Sequence, residues 1–486
     1  MADLITANHT RWATPRLVVL SEDQKETIFF SVLDVLETKG VRVDNQEGLD
    51  LLSGAGARVG PRQRVYIPSY IVEDAIASAP RQVTFYDRQG NHALSLRGSQ
   101  VAFCSQPDAQ FIDDPFTRVR RPFTRADTKL GALLCDALPN IHMTAPSAIY
   151  DDVPAEIAYL IGHKETLIHC NKPIMHGVLS LEQLELLVEM EALVAGGREE
   201  LARRPHYLHY AEPLSPMVHP DETIARLLFC TEHGIPVMYA PVTVGGATAP
   251  VTGAGNLVAC LAESLSGLVI VQLKRPGWPV IFGGVPTVMD MSTAVAAYGA
   301  PELSLWSAAL AEMAHYLRLP LMSTAGCTDA VTFDEQAAAE SAISCLMAAL
   351  SGANLVHDVG FAESAHHASL ELIAATDEII SMIGVIMRGV EVSPKTLALD
   401  AIGQVGPGGH YLDKKHTLDH FRQSWMPLLM SRQSYERWTA SGSQTLADRA
   451  NARVRKIVRE HQPEPLDPIV LAELDRMEEH WWQMIS

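Results

Sequence analysis

Cysteine is scarce in this chain and follows no recognisable pattern. The 486 residues include seven cysteines, which is an odd number, and no two of them form a Cys-x-x-Cys pair. A disulfide framework uses an even set of cysteines, and cysteine-rich structural zinc sites use closely spaced pairs. The sequence therefore argues against both.

Long apolar runs are also missing. No segment has the ~18 or more consecutive apolar residues that a membrane span requires. The first residues, MADL, do not begin a signal peptide, because no basic region is followed by an apolar one. We therefore expect a cytoplasmic protein without a membrane partner.

Basic residues are outnumbered. Lysine and arginine total 38 against 57 acidic residues, which gives a formal net charge of -19. Binding to nucleic acid requires basic patches, so we expect no nucleic-acid partner. An acidic surface fits a cationic ligand or a partner with a basic face, but it is also common on soluble enzymes.

The sequence lacks the usual cofactor and metal motifs. The glycine doublets Gly245–Gly246 and Gly283–Gly284 belong to neither a Walker loop nor a GxGxxG fingerprint. They would let a bulky or planar ligand approach the backbone, or they are turns alone. We assign Gly245, Gly246 and Gly284 to a cofactor and Gly283 to the substrate.

A metal site is not predicted. No HExxH motif occurs, although four histidines near strand ends could converge as zinc barrels require. They are His142, His176, His209 and His357.

Eight short apolar runs recur instead along the middle of the chain. They begin roughly 30 to 43 residues apart, the length of one βα unit, and helical stretches follow them. The runs are residues 101–104, 141–144, 173–176, 207–210, 236–239, 279–282, 320–323 and 354–357.

This spacing predicts an α/β protein built on a (β/α)₈ TIM barrel. We expect a helical and hairpin extension over residues 1–98, the barrel over 99–392 and a helical region over 393–486. Barrels of this type place their chemistry at the carboxyl ends of the strands. The candidate site residues are therefore those that end or follow the runs.

Two groups of strand-end residues are the sharpest candidates. Alternation places Tyr210 and Glu212 on one face of the fourth strand, where a ring and a carboxylate would suit a cation. At the eighth strand, His357 next to Asp358 could hold a substrate carboxylate or act in acid–base chemistry. Asp329, which follows the seventh strand, is a further candidate for binding the substrate. In the alternative interpretation, Tyr210 fills the barrel, Glu212 is a solvated loop residue, and His357 is satisfied by neighbouring backbone.

Several stretches together resemble the trimethylamine methyltransferase family and its glycine betaine methyltransferase relatives. They are SGANLVHD at 351–358, GPGGHYL at 406–412 followed by KHT at 415–417 and FR at 421–422, PTVMDM at 286–291 before YGAPE at 298–302, and TDA at 328–330 before DEQA at 334–337. The stretch from 406 to 421 is the most specific, and the resemblance runs from about residue 20 to the last helix.

The resemblance implies a TIM barrel that passes a methyl group from an amine to the cobalt of a corrinoid. It implies that a separate small corrinoid protein carries this cobalamin, so that the chain itself holds no tightly bound cofactor. The founding trimethylamine enzymes contain pyrrolysine, whereas this sequence has only standard residues. The chain is therefore similar to the branch without pyrrolysine, and a quaternary amine such as glycine betaine is the expected substrate.

This branch suggests roles for the candidates. Tyr210, Tyr239 and Phe282 would form a cage around the ammonium group, Glu212 would face its charge, and His357 would hold a betaine carboxylate. Two other functions remain open: a tetrahydrofolate-dependent methyltransferase on the same barrel, and a betaine-binding barrel without catalysis. We also expect a homo-oligomer, because TIM barrels with helical extensions commonly pair.

Overall fold

A closed barrel of parallel strands forms the centre of the molecule. The computed structural model describes residues 5–6, 15–147 and 149–485. Residues 1–4, on which the expectation of no signal peptide rests, lie outside this part. Seven of the eight runs are parallel strands: Gln100–Ser105, Ile174–His176, Tyr207–Ala211, Val237–Tyr239, Val280–Gly283, Leu321–Thr324 and Leu355–Val359.

The second run is shortened to two backbone bridges. Met143 pairs with Cys104 of the first strand, and Thr144 pairs with Ile174 of the third. The eighth strand pairs with the first on its other side, so these bridges close the ring. The predicted TIM barrel is confirmed. Ile5–Thr6 lies antiparallel to the start of the first strand.

A helix follows each position of the barrel and packs outside it. Side chains of Ser180, Asp334 and Ser369 accept backbone N–H groups at three helix starts, as N-caps do. In chain order the eight helices are Arg125–Ala137, Ala155–His169, Leu181–Ala195, Asp221–His233, Gly253–Lys274, Pro301–Leu317, Glu335–Ser351 and Leu370–Met387, and a shorter helix spans Arg198–Arg203.

One of these helices has the length and composition of a membrane span. Helix Gly253–Lys274 is apolar on most sides, but 83% of its most apolar stretch is buried within the fold. It therefore meets the description of a core helix that is covered all round.

The residues before the barrel form a helical region and a hairpin. Ser21 caps the first helix in a capping box with Gln24. The helices are Glu22–Asp34, Gln46–Gly54 and Ser69–Ser78, with a π turn at Val35–Lys39 and a 3₁₀ turn at Pro61–Gln63. Strands Val41–Val43, Arg58–Val59 and Arg64–Tyr66 form a small sheet with Val218–His219.

The predicted hairpin is Gln82–Tyr86 paired with His92–Arg97. Tyr86 and Arg88 donate their backbone N–H groups to Pro205 and Asn171, which precede the fourth and third barrel strands. The hairpin therefore lies beneath the amino-terminal end of the barrel, opposite the expected site.

Short strands build walls above the carboxyl end. One wall comprises Val242–Gly245, Val285–Asp290 and Val295–Ala297. The other comprises Phe111–Asp113, Arg120–Pro122, Phe361–Ala362 and His367–Ala368. Both walls grow directly out of barrel strands, so they surround the mouth.

The C-terminal region begins with short, exposed helices and ends with two long ones on the barrel. The short elements are Pro394–Leu397, Leu399–Val405, Lys415–His420, Phe421–Gln423 and Tyr435–Ala440. Helices Leu446–Glu460 and Pro468–Met484 contribute Val454, Leu474 and Trp481 to the main core. One core therefore extends from the first helix to the last.

Candidate active site

A cavity of about 330 Å³ lies at the carboxyl end of the barrel. Small-molecule sites begin at about this size. Its walls combine tyrosine rings, carboxylates, histidines and one arginine. Four predicted site residues line it: Tyr210, Glu212, His357 and Asp358.

Tyr210 and Glu212 form a pair at the end of the fourth strand. They are two residues apart, so the strand alternation projects both to the inside. The Tyr210 hydroxyl donates a hydrogen bond of 2.8 Å to Glu212 Oε2. The Tyr210 ring also lies 6.1 Å from the His357 ring, centre to centre. The fourth and eighth strands therefore meet across the cavity.

A bulge explains why two consecutive residues of the eighth strand, His357 and Asp358, line the same cavity. Regular alternation would send them to opposite faces. The pairing with the first strand shifts between Val356 and Val359, and Asp358 adopts a φ of 78°. Such strained backbone is found where a site requires it.

Contacts from neighbouring side chains hold this corner. Asp358 accepts a hydrogen bond from the Thr324 hydroxyl at the end of the seventh strand, and its other oxygen contacts His357 Nδ1. Both residues are buried. His357 lines the cavity, and its Nε2 is buried without a hydrogen-bond partner in the described part of the chain.

Glu212 is a carboxylate with altered acidity. Its side chain is accessible because it faces the cavity, yet protein surrounds that space. Burial raises the pKa of Glu212, and the Tyr210 hydrogen bond and the charge of His357 offset only part of this effect. The group has the properties of a ligand-facing carboxylate rather than those of a solvated loop residue.

Sequence reasoning missed further aromatic walls of the cavity. Tyr159, Tyr298 and Phe361 line it. Tyr159 lies on a barrel helix, where helical spacing gives no hint of an inward role. Tyr298 belongs to the stretch YGAPE, and Phe361 comes shortly after Asp358, so their positions in sequence could have suggested them.

Polar groups were missed as well. The Tyr159 hydroxyl donates to Asp108 Oδ2 at 3.1 Å, and its ring stacks on His176 at 5.6 Å. Asp108, His176 and Arg226 all line the cavity. His176 ends the third strand, where the sequence suggested only a metal ligand, and Asp108 follows the first strand. Strand-end reasoning could therefore have assigned both to the substrate site. Arg226 is on a helix and carried no such signal.

The expectation that Tyr239 and Phe282 form the cage is wrong. Paired residues of neighbouring parallel strands face the same side, and Tyr210 pairs with Met238 rather than Tyr239. Tyr239 pairs with Phe282, so both project outward. The Tyr239 hydroxyl contacts His219 Nδ1 at 2.6 Å, and its ring packs against the backbone of Gly267.

The sixth-strand glycines serve packing rather than ligand contact. A Cβ on Gly283 would lie 2.2 Å from the Met322 carbonyl oxygen, and one on Gly284 would lie 2.3 Å from Cys260 Sγ. Neither lines the cavity described above. The assignments of Gly283 to the substrate and Gly284 to a cofactor are therefore corrected.

Gly245 and Gly246 lie above the cavity. Their strand contributes Val242 to the lining, and Gly245 is about 10 Å further along it at ~3.3 Å per residue. Gly246 has a φ of 92° in an exposed turn. The doublet therefore forms the tip of a mouth wall, and its contact with a cofactor remains a prediction.

Asp329 supports the site from outside. Its Oδ1 accepts the Tyr298 backbone N–H at 2.7 Å and the Ser364 hydroxyl at 2.8 Å. It lines a neighbouring hollow of about 410 Å³ and not the main cavity. Direct substrate binding by Asp329 is therefore replaced by the positioning of Tyr298.

The four histidines considered for a metal do not form one site. His142 Nδ1 accepts the Phe103 backbone N–H, His209 Nδ1 contacts the Tyr207 hydroxyl, and burial lowers the pKa of both to about 3. Within residues 5–6, 15–147 and 149–485, no three His, Cys, Asp or Glu side chains are grouped to hold a metal ion.

Known proteins resemble the chain over almost its full length. It is 31% identical over 459 residues to a trimethylamine methyltransferase of Desulfitobacterium hafniense strain DSM 10664 / DCB-2, covering 94% of this chain and 92% of that one. It is 30% identical over 463 residues to the glycine betaine methyltransferase of strain Y51, covering 95% and 96%.

The fold also resembles a solved structure, the monomethylamine methyltransferase of Methanosarcina barkeri. The TM-score is 0.55 with 10% sequence identity, and the match covers 92% of this chain and 88% of that one. The family model for trimethylamine methyltransferase matches residues 3–479. The chain therefore belongs to the trimethylamine methyltransferase family.

Proposed function

We propose that this protein takes a methyl group from a quaternary amine of the glycine betaine type and transfers it to the Co(I) of a corrinoid protein. The observation that carries the proposal is the Tyr210–Glu212 pair, which faces a tyrosine-lined cavity at the mouth of the barrel. Membership of the family, with a glycine betaine methyltransferase among the relatives, supports it.

The cavity walls match a methylated cation. Tyr159, Tyr210 and Tyr298 offer aromatic faces, which attract quaternary ammonium groups. Glu212 supplies a negative charge, and its contact with the Tyr210 hydroxyl directs the carboxylate. Charges of both Glu212 and Asp358 reach Tyr298, so the rings and carboxylates lie within one electrostatic neighbourhood.

A quaternary nitrogen simplifies the chemistry. When the nucleophile forms a bond to the methyl carbon, the C–N bond breaks and its electron pair stays on nitrogen. The leaving amine is therefore neutral and requires no proton from the protein. The Co(I) corrinoid, as the acceptor substrate, supplies the nucleophilic electron pair.

The residues of this chain then need only to bind and orient the amine and to leave a path by which the corrinoid can approach it. His357 and Asp358 are held in the cavity by the bulge and by Thr324, where they position the substrate. Leu179 lines the cavity and is 59% exposed, so the cavity reaches the surface. A corrinoid carried by a separate protein can approach there, with Gly245 and Gly246 on the rim.

One assay distinguishes the alternatives. The protein is mixed with glycine betaine and Co(I) cobalamin, and the Co(I) absorbance is followed. We expect the absorbance to fall as methyl-Co(III) forms. Betaine binding without any reaction would instead indicate a binding protein, and methyl transfer only to tetrahydrofolate would indicate the folate-dependent alternative.

The proposal includes self-association of the chain. Light scattering after size exclusion should give a mass of at least twice 53.1 kDa. A single-chain mass would remove the oligomer from the proposal and leave the chemistry unchanged.

A further inference from the structure

Arg226 is a buried cation on the cavity wall without a carboxylate beside it. It projects from helix Asp221–His233, is 9% exposed and lines the cavity. Among the described residues, no acidic side chain lies within ion-pair distance of it. A buried charge that lacks a counter-ion is strongly unfavourable, so we expect an anionic ligand to bind beside Arg226.

The donors of Arg226 are only partly used. Nη1 donates to the Leu179 carbonyl, and Nη2 makes a long contact of 3.4 Å with the Thr223 hydroxyl. Nε is buried with no partner in the described part of the chain. Glu222 contributes charge from a distance, but its Oε2 accepts the backbone N–H of Leu181.

Arg88 shows how this fold neutralises a buried arginine that serves structure alone. Its guanidinium donates to the carbonyls of Leu167, Ile168 and Glu464, two of which belong to the last turn of helix Ala155–His169. Carbonyls at a helix C-terminus carry partial negative charge. Arg226 has no such set, and unlike Arg88 it borders the cavity.

The cavity wall carries Arg226 together with three carboxylates, Asp108, Glu212 and Asp358. The Tyr159 hydroxyl is bonded to Asp108, and the charges of Glu212 and Arg226 act on it with opposite sign. Tyr159 is therefore close to both the acidic and the basic part of the lining. His357, by contrast, contacts Asp358, and its charge acts on Glu212. Two carboxylates therefore already surround His357, which disfavours a third.

We propose that Arg226 is an anion subsite that holds the carboxylate of a zwitterionic quaternary amine. The ammonium half lies among the tyrosines and Glu212, and this part rests on the proposed function. Carboxylate oxygens fit the planar fork of a guanidinium. Arg226 therefore selects betaines over quaternary amines with a neutral tail, in place of the role expected for His357.

Binding titrations test the subsite without requiring turnover. Glycine betaine and choline share the trimethylammonium group and differ in the carboxylate, so calorimetry compares their Kd values. R226M should weaken glycine betaine about 10- to 150-fold, the range of a charge-assisted hydrogen bond, and leave choline unchanged. R226K, which keeps the charge, should restore part of the preference.

The control is R275M. Arg275 is exposed, donates to the Thr231 carbonyl and lies over the Trp278 ring, far from the mouth at the end of helix Gly253–Lys274. R275M removes the same charge as R226M and should change the Kd of neither glycine betaine nor choline. R226Q provides a second neutral variant if R226M does not fold.

The outcomes are separable. An equal loss for both ligands would mean that Arg226 only braces Leu179, and no loss for glycine betaine would equally overturn the subsite. Arg226-dependent betaine binding without methylation of Co(I) would leave the subsite standing and defeat the proposed function. Methylation of Co(I) by the wild type together with an unchanged betaine preference in R226M would support the proposed function and contradict the subsite.

Discussion

The charge of Glu212 sets how tightly a cation is held, so pH should control binding through this residue. Burial raises the pKa of Glu212, and only the ionised form attracts the ammonium group. Affinity should therefore fall as pH decreases through this raised pKa. E212Q keeps the shape of the side chain, should weaken glycine betaine about 10- to 150-fold at neutral pH, and should lose this pH dependence.

Tyr210 offers the matching control. Its hydrogen bond stabilises the ionised form of Glu212 and opposes the rise in pKa. Y210F should therefore move the acid limb of the binding curve to higher pH. Calorimetry of glycine betaine binding between pH 5 and 8 measures both variants. An acid limb that persists in E212Q would assign the titration to another group.

Gly284 is required for packing, because the core leaves no room for a side chain at this position. A Cβ there would meet Cys260 Sγ at 2.3 Å and the Pro241 carbonyl oxygen at 2.9 Å. G284A should cost about 1–3 kcal/mol of unfolding free energy, as overpacked cores do. Urea unfolding checks this. G54A is the control, because nothing lies within 4 Å of that Cβ, and its stability should not fall.

At the scale of elements, the residue types and spacing of the strands were readable, but their register was not. Apolar runs located every barrel position, and alternation within the fourth strand correctly paired Tyr210 with Glu212. Alignment of Tyr239 with Tyr210 failed because pairing joins Tyr210 to Met238. Hydrogen bonds between strands fix that offset, and a single strand's sequence does not contain it.

The bulge of the eighth strand and the cavity residues contributed by helices could not be predicted from the sequence, for related reasons. His357 and Asp358 share the cavity only because the pairing shifts there. Tyr159 and Arg226 reach the mouth from helices whose rotation depends on packing against the barrel. Residues at strand ends were predictable from the fold, whereas those contributed by helices depended on tertiary geometry.

A buried acid links several barrel elements, and its loss should show as a pH-dependent change in stability. Glu191 on helix Leu181–Ala195 contacts His163 Nε2 at 2.5 Å and also His206 Nε2. Burial would raise its pKa, but the charge of His206 and hydrogen bonds from His163 and His206 hold the pKa at about 2. A depressed pKa stabilises the fold above the unfolded value of about 4.5.

E191Q should therefore unfold about 3–5 kcal/mol more easily at pH 7. The deficit relative to the wild type should shrink as pH falls from about 4.5 towards about 2. Urea unfolding at several pH values measures it. E189Q, on the exposed face of the same helix, should leave the free energy of unfolding unchanged. A deficit that is independent of pH would mean that packing, not charge, is lost.

At the scale of the whole molecule, the barrel was predictable because its repeat is long and regular. Eight runs at βα spacing leave few other closed architectures. The outer boundaries are harder to read, since one apolar core includes residues from both flanking regions. Whether residues 393–486 behave as a separate unit is therefore a question of cooperativity.

Trp481 answers it. The side chain is 1% exposed, and its helix is fixed by Glu478, which binds Arg125 at 2.5 Å and Lys164 at 2.6 Å. W481A should cost about 3–5 kcal/mol, and calorimetry should show one transition at a lower temperature because the barrel loses part of its own core. I469A, on an exposed part of the same helix, should change little. An early separate transition with the main one unmoved would instead establish an independent C-terminal domain.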